Sequence, residues 1–201
     1  MIRSTLWTST LSPANVGEGQ GRGVRISELD LESQPMVEAA MGPDGDLVAT
    51  RLGRRCRCFV AWTGDELAGY GWLSTGPEWI GEVQLEITPR AGEAYIWNCV
   101  TVPERRRRGV FGSLLLGITE QARRDGLVRL WIGSVAIPAE KAVGYAGYTP
   151  VLHFSSRTRA GLHWLRVTPA PQAGSAVVAA ALEEVSVRPG TYLRCSRPRR
   201  H

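Results

Sequence analysis

No apolar run in the 201-residue sequence approaches the roughly 18 residues that a membrane-spanning helix requires, and the first residues lack the apolar core of a secretion signal. The expectation is a cytoplasmic protein with no membrane partner. Cysteine is scarce: Cys56, Cys58, Cys99 and Cys195 are too few and too irregularly spaced for a secreted disulfide framework in a chain of this size. Cys56 and Cys58, in a strand-like segment, read as a poor metal pair. Histidine is rarer still. His153, His163 and His201 have neither metal-ligand spacing nor a nucleophile signature beside them, so no metal is expected. There is no internal repeat.

What is present fits a compact enzyme domain. Hydrophobic residues make up 43% of the chain, enough for a core, and the length suggests one domain with extensions. A formal charge of +5 implies an anionic partner. Residues 1–23 read as a flexible leader punctuated by Gly17, Gly19, Gly21 and Gly23, followed by a first strand over Val24 to Ser27. Helices are expected around Gln34 to Met41 and Asp46 to Arg54, broken by the Gly-Pro-Asp-Gly turn at 42–45. Arg57 to Thr63 and Leu67 to Ser74 read as a hairpin. From Glu82 to Ile87, Glu82, Gln84 and Glu86 alternate with Val83, Leu85 and Ile87, the period of a strand with one polar face. Strands over Ala94 to Val102 and Val128 to Ser134 flank a helix, and a further helix from Pro138 to Gly147 precedes strands over Thr149 to Phe154 and His163 to Thr168. This order predicts an α/β or α+β fold with a sheet of about seven strands over residues 24–168. Residues 169–201 read as a linker, a helix over Ser175 to Glu184 and a basic tail from Arg194 to His201.

The most informative stretch is Asn98 to Gly126: an apolar strand, a proline, four consecutive arginines, a glycine, then an amphipathic helix. Val110, Phe111, Leu114, Leu115, Ile118 and Ala122 share one helix face, with Glu120, Gln121, Arg123 and Arg124 opposite. A strand feeding a glycine-bearing turn at a helix start gathers unpaired N–H groups and the positive helix end at one point. That is a cradle for a pyrophosphate. Gly109 removes a side chain where a ligand would approach the backbone.

Val100, Thr101, Val102, Pro103, Glu104, Arg106, Arg108 and Gly109, followed by the apolar helix, resemble the acetyl-CoA-binding motif of the GCN5-related N-acetyltransferases. The family pattern is Arg or Gln, two residues, Gly, one residue, then Gly or Ala; Arg106 and Gly109 match, and Phe111 departs at the last position. The likeness runs from Asp46 to about Val167. It implies a mixed, mostly antiparallel sheet with a splayed parallel pair and flanking helices, and an acetyl-CoA-dependent N-acetyltransferase acting directly on an amine of a small molecule or a protein. By the resemblance, the coenzyme A thioester lies between the Ala94 to Val102 and Val128 to Ser134 strands. Its pantetheine pairs with Val100, Thr101 and Val102, its pyrophosphate takes N–H groups from Arg107 through Arg108, Gly109, Val110 and Phe111 to Gly112, and Ser113 is a further coenzyme-binding residue. Arg106 and Arg108 fit the motif, whereas Arg105 and Arg107 read equally well as surface charges.

The acyl transfer requires a base, a donor for the carbonyl oxygen and an acid for the departing thiolate. The family's carboxylate base lies on the strand before the motif, and the corresponding place falls at Tyr95, next to Glu93. Glu82 and Glu86 are alternative carboxylates that could attract a cationic amine or relay its proton. The family's acid is a tyrosine four residues before the Gly-aromatic pair, here Gly147-Tyr148, and that place holds Val143; Tyr145 is the substitute candidate. Relatives' Asn and Ser at the start of this helix are Ala136 and Ala139 here. Trp79, beside Glu78 and Glu82, can line a pocket for a cationic amine. Cys99 reads as a buried thiol. Two other readings remain open: a catalytically silent coenzyme A-binding module, and a nucleic-acid-binding protein using the arginine run, which lacks interleaved stacking aromatics. A homodimer is compatible with the sequence.

Overall fold

The computed structural model describes residues 1–11, 23–54, 56–135 and 137–196. In chain order the elements are β1 (Ile2–Thr10), β2 (Arg25–Glu28), α1 (Gln34–Met41), α2 (Leu47–Gly53), β3 (Arg57–Thr63), β4 (Glu66–Ser74), β5 (Glu78–Ile80), β6 (Leu85–Ile87) and β7 (Glu93–Thr101). They continue with α3 (Val110–Arg124), β8 (Arg129–Ser134), α4 (Ile137–Tyr145), β9 (Thr149–Arg159), β10 (Leu162–Pro169), α5 (Ser175–Glu184) and β11 (Gly190–Cys195). The fold is mixed α/β with a largely antiparallel sheet, one parallel pair and flanking helices. The chain divides into two compact units, one comprising Thr10–Gly76 and Gly92–Leu130, the other Met1–Ser9, Pro77–Ala91 and Trp131–His201.

In the first unit β2, β3, β4 and β7 form an antiparallel run in that order, and β8, which begins here with Arg129 and Leu130, runs parallel to β7. Side-chain alternation assigns the two faces. Cys58, Val60, Trp62, Tyr70 and Trp72 pack with Val37, Met41 and Val48 of α1 and α2. Their neighbours Phe59 and Ala61 stand opposite Gly71 and Gly69 and belong to the other face, beneath α3. Of the apolar stripe of α3 predicted from the sequence, Val110, Leu114, Leu115, Ile118 and Ala122 are buried there, while Phe111 is only half-buried. Each such side chain contributes roughly 1.5–3 kcal/mol by leaving water. Gly117 lets the helix approach β2 closely, since a Cβ there would lie 2.8 Å from Ile26. The C-terminal end of α3 is tied down by Arg57, which pairs with Asp125 and, at 2.7 Å, with Glu28.

In the second unit the antiparallel order is β11-β10-β9-β1, with the remainder of β8 beside β1. Here the expectation of a flexible leader over 1–23 is corrected: Ile2–Thr10 is a full strand registered against β9, from Ile2 opposite Ser156 to Thr8 opposite Thr149. Its sequence, IRSTLWTST, is rich in hydroxyls rather than hydrocarbon, and threonine is as much a strand former as valine. Buried hydroxyls need partners, and Thr5 donates to Glu140 of α4 at 3.0 Å. The glycine-rich stretch at Gly17 to Gly21 lies outside the described residues, as do Ala136 and the last residues of the basic tail. The tail expectation also changes, because Arg194 and Cys195 end a strand, β11. The predicted helix Ser175–Glu184 is present as α5 and packs on β9. These added strands raise the count from about seven expected to eleven among the described residues.

A further correction concerns Glu82 to Ile87. Only Leu85–Ile87 is strand; it pairs with Glu78–Ile80 in a separate two-stranded sheet, and residues 81–84 form the turn. Gln84, at φ 52°, is left-handed and ends the alternation.

Candidate functional site

The cradle predicted at Gly109 is built from the end of β7, a short 3-10 turn at Pro103–Arg105, and the start of α3. Gly109 caps α3 in the left-handed region, φ 77° and ψ 1°. An L-residue pays roughly 1–2 kcal/mol for that conformation, so glycine is the natural occupant. A Cβ at Gly109 or Gly112 would meet nothing within 4 Å. The first bond of the helix runs from the Ser113 N–H to the Gly109 carbonyl, at 3.0 Å. The N–H groups of Val110, Phe111 and Gly112 precede it and have no acceptor within the helix. The start of this 15-residue helix thus gathers three donors and its positive end beside Gly109.

The four arginines separate by their surroundings. Arg105 is paired with Glu66 and is a surface ion pair. Arg106 donates its Nε to the Thr101 carbonyl at 3.4 Å, which holds the side chain along the turn. Arg107 adopts φ 62°, an uncommon conformation for a side chain of this size, and both it and Arg108 are exposed beside Gly109. Arg106, Arg107, Arg108, Gly109, Val110, Phe111, Gly112 and Ser113 are therefore brought together, with Val100, Thr101 and Val102 leading into them.

β7 contains a feature that the sequence reading missed. Trp97 pairs with Trp72 and Val100 with Tyr70, so two residues, Asn98 and Cys99, stand opposite the single Gly71. This is a β-bulge, with Asn98 left-handed at φ 45°. Asparagine is among the few side chains that enter this region readily, and the glycine across from it is the other available signal. Residues before the bulge, Glu93 to Ile96, are buried; those after it, through Thr101, are half-buried. A bulge leaves its extra residue outside the ladder, which frees main-chain groups for other partners.

Burial pushes the Cys99 thiol up to about 12, against a main-chain bond from Trp72 that lowers it, and burial likewise pushes Cys58 up to about 12. Neither is a thiolate near neutral pH, and neither has the character of a nucleophile. Glu93 is buried and accepts from Arg129 Nη1 at 2.8 Å. Tyr95 is buried opposite Ser74. Glu93 lies five residues before the bulge, roughly 16 Å along an extended strand, and Tyr95 roughly 10 Å.

Arg51 of α2 is a second residue that the sequence did not single out. It is 7% exposed, with its guanidinium carbon 4.4 Å from the Trp97 ring centroid and 5.0 Å from that of Trp72. The stacking joins residues far apart in sequence, so no local pattern announces it. It packs against Trp97, the residue immediately before the bulge.

In the other unit, Trp79 and Glu86 are cross-strand partners in the β5–β6 hairpin, with Trp79 half-buried and Glu86 exposed. Glu82 is exposed in the turn, so it does not share a strand face with Glu86 as expected. Tyr145, the last residue of α4, is 89% exposed, whereas Val143 is fully buried. Among the described residues no group of three or more His, Cys, Asp or Glu side chains could hold a metal ion, and no helix is long and apolar enough to cross a membrane.

The family model of the GNAT acetyltransferases matches residues 25–139, more than half of the chain. No curated protein matches by sequence. Among solved structures, a GCN5-related N-acetyltransferase from Sphaerobacter thermophilus is similar at TM-score 0.58 and 12% identity, over 84% of this chain and 51% of that one. A GNAT-family acetyltransferase from Colwellia psychrerythraea is similar at TM-score 0.54 and 15% identity, over 76% of this chain and 54% of its own. The chain thus spans about half the length of these two relatives. An acetyltransferase from Bacillus subtilis, solved in complex with CoA, is 22% identical at TM-score 0.45, over 67% of this chain and 77% of that one. The chain belongs to the GNAT acetyltransferase family.

Proposed function

We propose that the protein transfers an acetyl group from acetyl-CoA directly to a primary amine of a small molecule, without a covalent enzyme intermediate. The observation that carries this reading is the open, left-handed Gly109 at the mouth of α3, next to the half-buried end of a bulged strand. The residues fit the coenzyme. The N–H groups of Val110, Phe111 and Gly112 at the start of α3 are the proposed donors to a diphosphate, and Arg106 and Arg108, both exposed, supply positive charge beside it. Each neutral hydrogen bond contributes about 1 kcal/mol net and the helix end a further 0.3–1 kcal/mol or so, so several must act together. The Val102 N–H is taken by the Ala68 carbonyl of β4 at 3.0 Å, so of Val100, Thr101 and Val102 it is Thr101, which alternates with the other two, that is proposed to offer its main chain to the pantetheine amides as an added strand would.

When bound, acetyl-CoA supplies a thioester whose acyl carbon is open to attack by an amine. The main chain at the Asn98–Cys99 bulge is the proposed donor to the acyl oxygen, because a bulge presents an N–H that the β4 ladder does not use. The high-lying thiols of Cys99 and Cys58 support direct transfer over a cysteine relay. Trp79 and Glu86, side by side on the hairpin, are assigned to the cationic acceptor amine, as an aromatic face and a carboxylate, with Glu86 the proposed base that takes the ammonium proton so that the neutral amine attacks the acyl carbon. Glu82 in the adjoining turn is a secondary carboxylate. Tyr145, with an exposed hydroxyl, is the proposed proton donor to the departing thiolate. Glu93 and Tyr95 become supporting residues of β7, since Glu93 is engaged by Arg129 and both are buried away from the bulge.

Calorimetry with acetyl-CoA at moderate salt, followed by thiol release across a panel of small amines, tests this. Heat of binding with amine-dependent thiol release is the expected result. Binding without turnover on any amine identifies a silent coenzyme module. Absence of binding, with salt-sensitive association to nucleic acid instead, would overturn the transferase reading.

A further inference from the structure

The β5–β6 hairpin has strands of only three residues and belongs to a two-stranded sheet of its own. Isolated two-stranded hairpins are at best marginally stable in water. Something other than its own ladder must hold Trp79 and Glu86 in place, and the hydrogen bonds identify it.

Three successive main-chain carbonyls of the turn are taken by side chains from β9, β10 and β11. Ser156 Oγ donates to the Glu82 carbonyl at 2.8 Å. His163 Nε2 meets the Val83 carbonyl at 3.1 Å, while its Nδ1 lies 2.9 Å from Thr158 Oγ1. With Nε2 carrying the proton, the ring donates to Val83 and accepts from the threonine hydroxyl. Arg194 Nη2 spans two carbonyls, Val83 at 3.0 Å and Gln84 at 2.9 Å. His163 and Arg194 are directly opposite each other in the β10–β11 ladder, so the register of that ladder places both over the same turn. Gln84 returns the contact by donating Nε2 to Ser196 Oγ at 3.0 Å. The other end of the hairpin is fastened to α5: the Thr88 N–H donates to the Glu184 carbonyl at 2.9 Å, and Arg90 Nε lies 3.1 Å from the Glu184 carboxylate.

We infer that α5 and β11, which lie beyond the segment matched to the family, form a clasp that fixes the hairpin at its turn and at its exit, and that Arg194 is thereby a positioning residue for acceptor recognition. Gln84 is held in a left-handed conformation that the free hairpin would not favour, and the clasp supplies the bonds that maintain it. Arg194 is central because its one terminal nitrogen closes two carbonyls, and a charged donor bonds a carbonyl more strongly than a neutral one. The consequence for acceptor binding rests on the assignment of Trp79 and Glu86 made above; the clasp itself does not.

The test compares Arg194→Ala with Arg194→Lys in the full chain. Two quantities are read: hydrogen exchange of the amides at 81–86, and KM for the best amine alongside the Kd for acetyl-CoA. Arg194→Ala should raise exchange in the hairpin about tenfold or more, with exchange in β9 unchanged, and should raise the amine KM by a similar factor while coenzyme Kd stays within about twofold. Arg194→Lys, which keeps a multiply donating cation, should restore most of both. Unchanged hairpin exchange in Arg194→Ala would overturn the clasp. Faster exchange with unchanged amine KM would overturn the link to acceptor recognition while leaving the coenzyme site intact. Should Arg194→Ala also release β11, Gln84→Gly is the second variant: it removes the contact to Ser196 and the need for the clasp to hold a strained residue, and its hairpin should then depend less on Arg194. Equal effects of Arg194→Ala with and without Gln84→Gly would count against the inference.

Discussion

Replacing Gly109 tests the cradle by two separable effects. In the free protein a Cβ at this position meets nothing within 4 Å, so Gly109→Ala costs only the left-handed backbone energy, roughly 1–2 kcal/mol. For a chain of this length that lowers Tm by about 2–8 °C. Gly109→Glu carries the same backbone cost and adds a carboxylate beside the place proposed for a diphosphate with two negative charges. At about 5 Å the repulsion per charge is roughly 0.8 kcal/mol in bulk water and 3 kcal/mol at an effective dielectric of 20. The exposed surroundings of Arg108 and Gly109 place the site toward the aqueous limit, so about 3 kcal/mol in total is reasonable, or roughly a hundredfold in Kd. The assay is calorimetric titration of acetyl-CoA into wild type, Gly109→Ala and Gly109→Glu, each with a thermal melt. The two variants should melt alike and bind differently, and the gap between them should narrow as salt is raised. If Gly109→Glu bound within about threefold of wild type while melting with Gly109→Ala, the diphosphate would not lie at this turn.

Three other outcomes follow from the same geometry. Tyr145→Phe should lower kcat without altering coenzyme Kd, read by thiol release and calorimetry; an unchanged kcat would return this exposed residue to the surface. Cys99→Ala should retain turnover within about threefold, because a thiol held near 12 is no nucleophile, and trapping of an acetylated Cys99 by mass spectrometry would contradict direct transfer. His163 should make the fold sensitive to mild acid. Burial lowers its native pKa from 6.5, opposed by the bond to Val83 and reinforced by the Arg194 charge. The unfolded chain therefore binds this proton first, so the stabilisation is complete above about pH 6.5 and is lost as pH falls through the lower native value. Denaturant midpoints measured from pH 7.5 to 5 should fall for wild type and fall less for His163→Gln; parallel curves would refute the assignment.

The strand-turn-helix around Gly109 was legible because it is local. A strand, a turn and an amphipathic helix within thirty residues declare themselves through periodicity and one glycine, and Val110, Leu114, Leu115 and Ile118 are buried as the period requires. β1 was illegible for the opposite reason. Its buried Thr5 hydroxyl bonds Glu140, far along the chain, so nothing nearby distinguishes the strand from a polar leader. The alternation from Glu82 to Ile87 was a true period-two pattern, yet Gln84 turns left-handed under the hold of side chains more than a hundred residues later. Arg51 looked like an ordinary helix cation until Trp72 and Trp97, from two other elements, were placed around it. Register and stacking are long-range, and a single sequence carries them only implicitly.

The bulge at Asn98–Cys99 is the feature on which the proposed acyl-oxygen donor depends, and it can be examined without any substrate. Two residues of β7 fit opposite one of β4 only because that one is Gly71: an ideal Cβ there would lie 2.7 Å from Cys99 Sγ, 3.2 Å from Leu114 and 3.3 Å from Ile118. Gly71→Ala should therefore destabilise the fold by overpacking, about 1–3 kcal/mol. Much of that cost comes from one atom, the Cys99 sulfur, since the leucine and isoleucine contacts are looser and belong to flexible side-chain ends. Removing the sulfur should relieve it, so the double variant Gly71→Ala with Cys99→Ala should be more stable than the sum of the single changes, with a coupling of about 1 kcal/mol in a double-mutant cycle measured by urea denaturation. Strict additivity would mean that β7 has shifted away from Gly71 and that the bulge is not held in the register described. In that case the N–H assigned to the acyl oxygen would belong to the ladder instead.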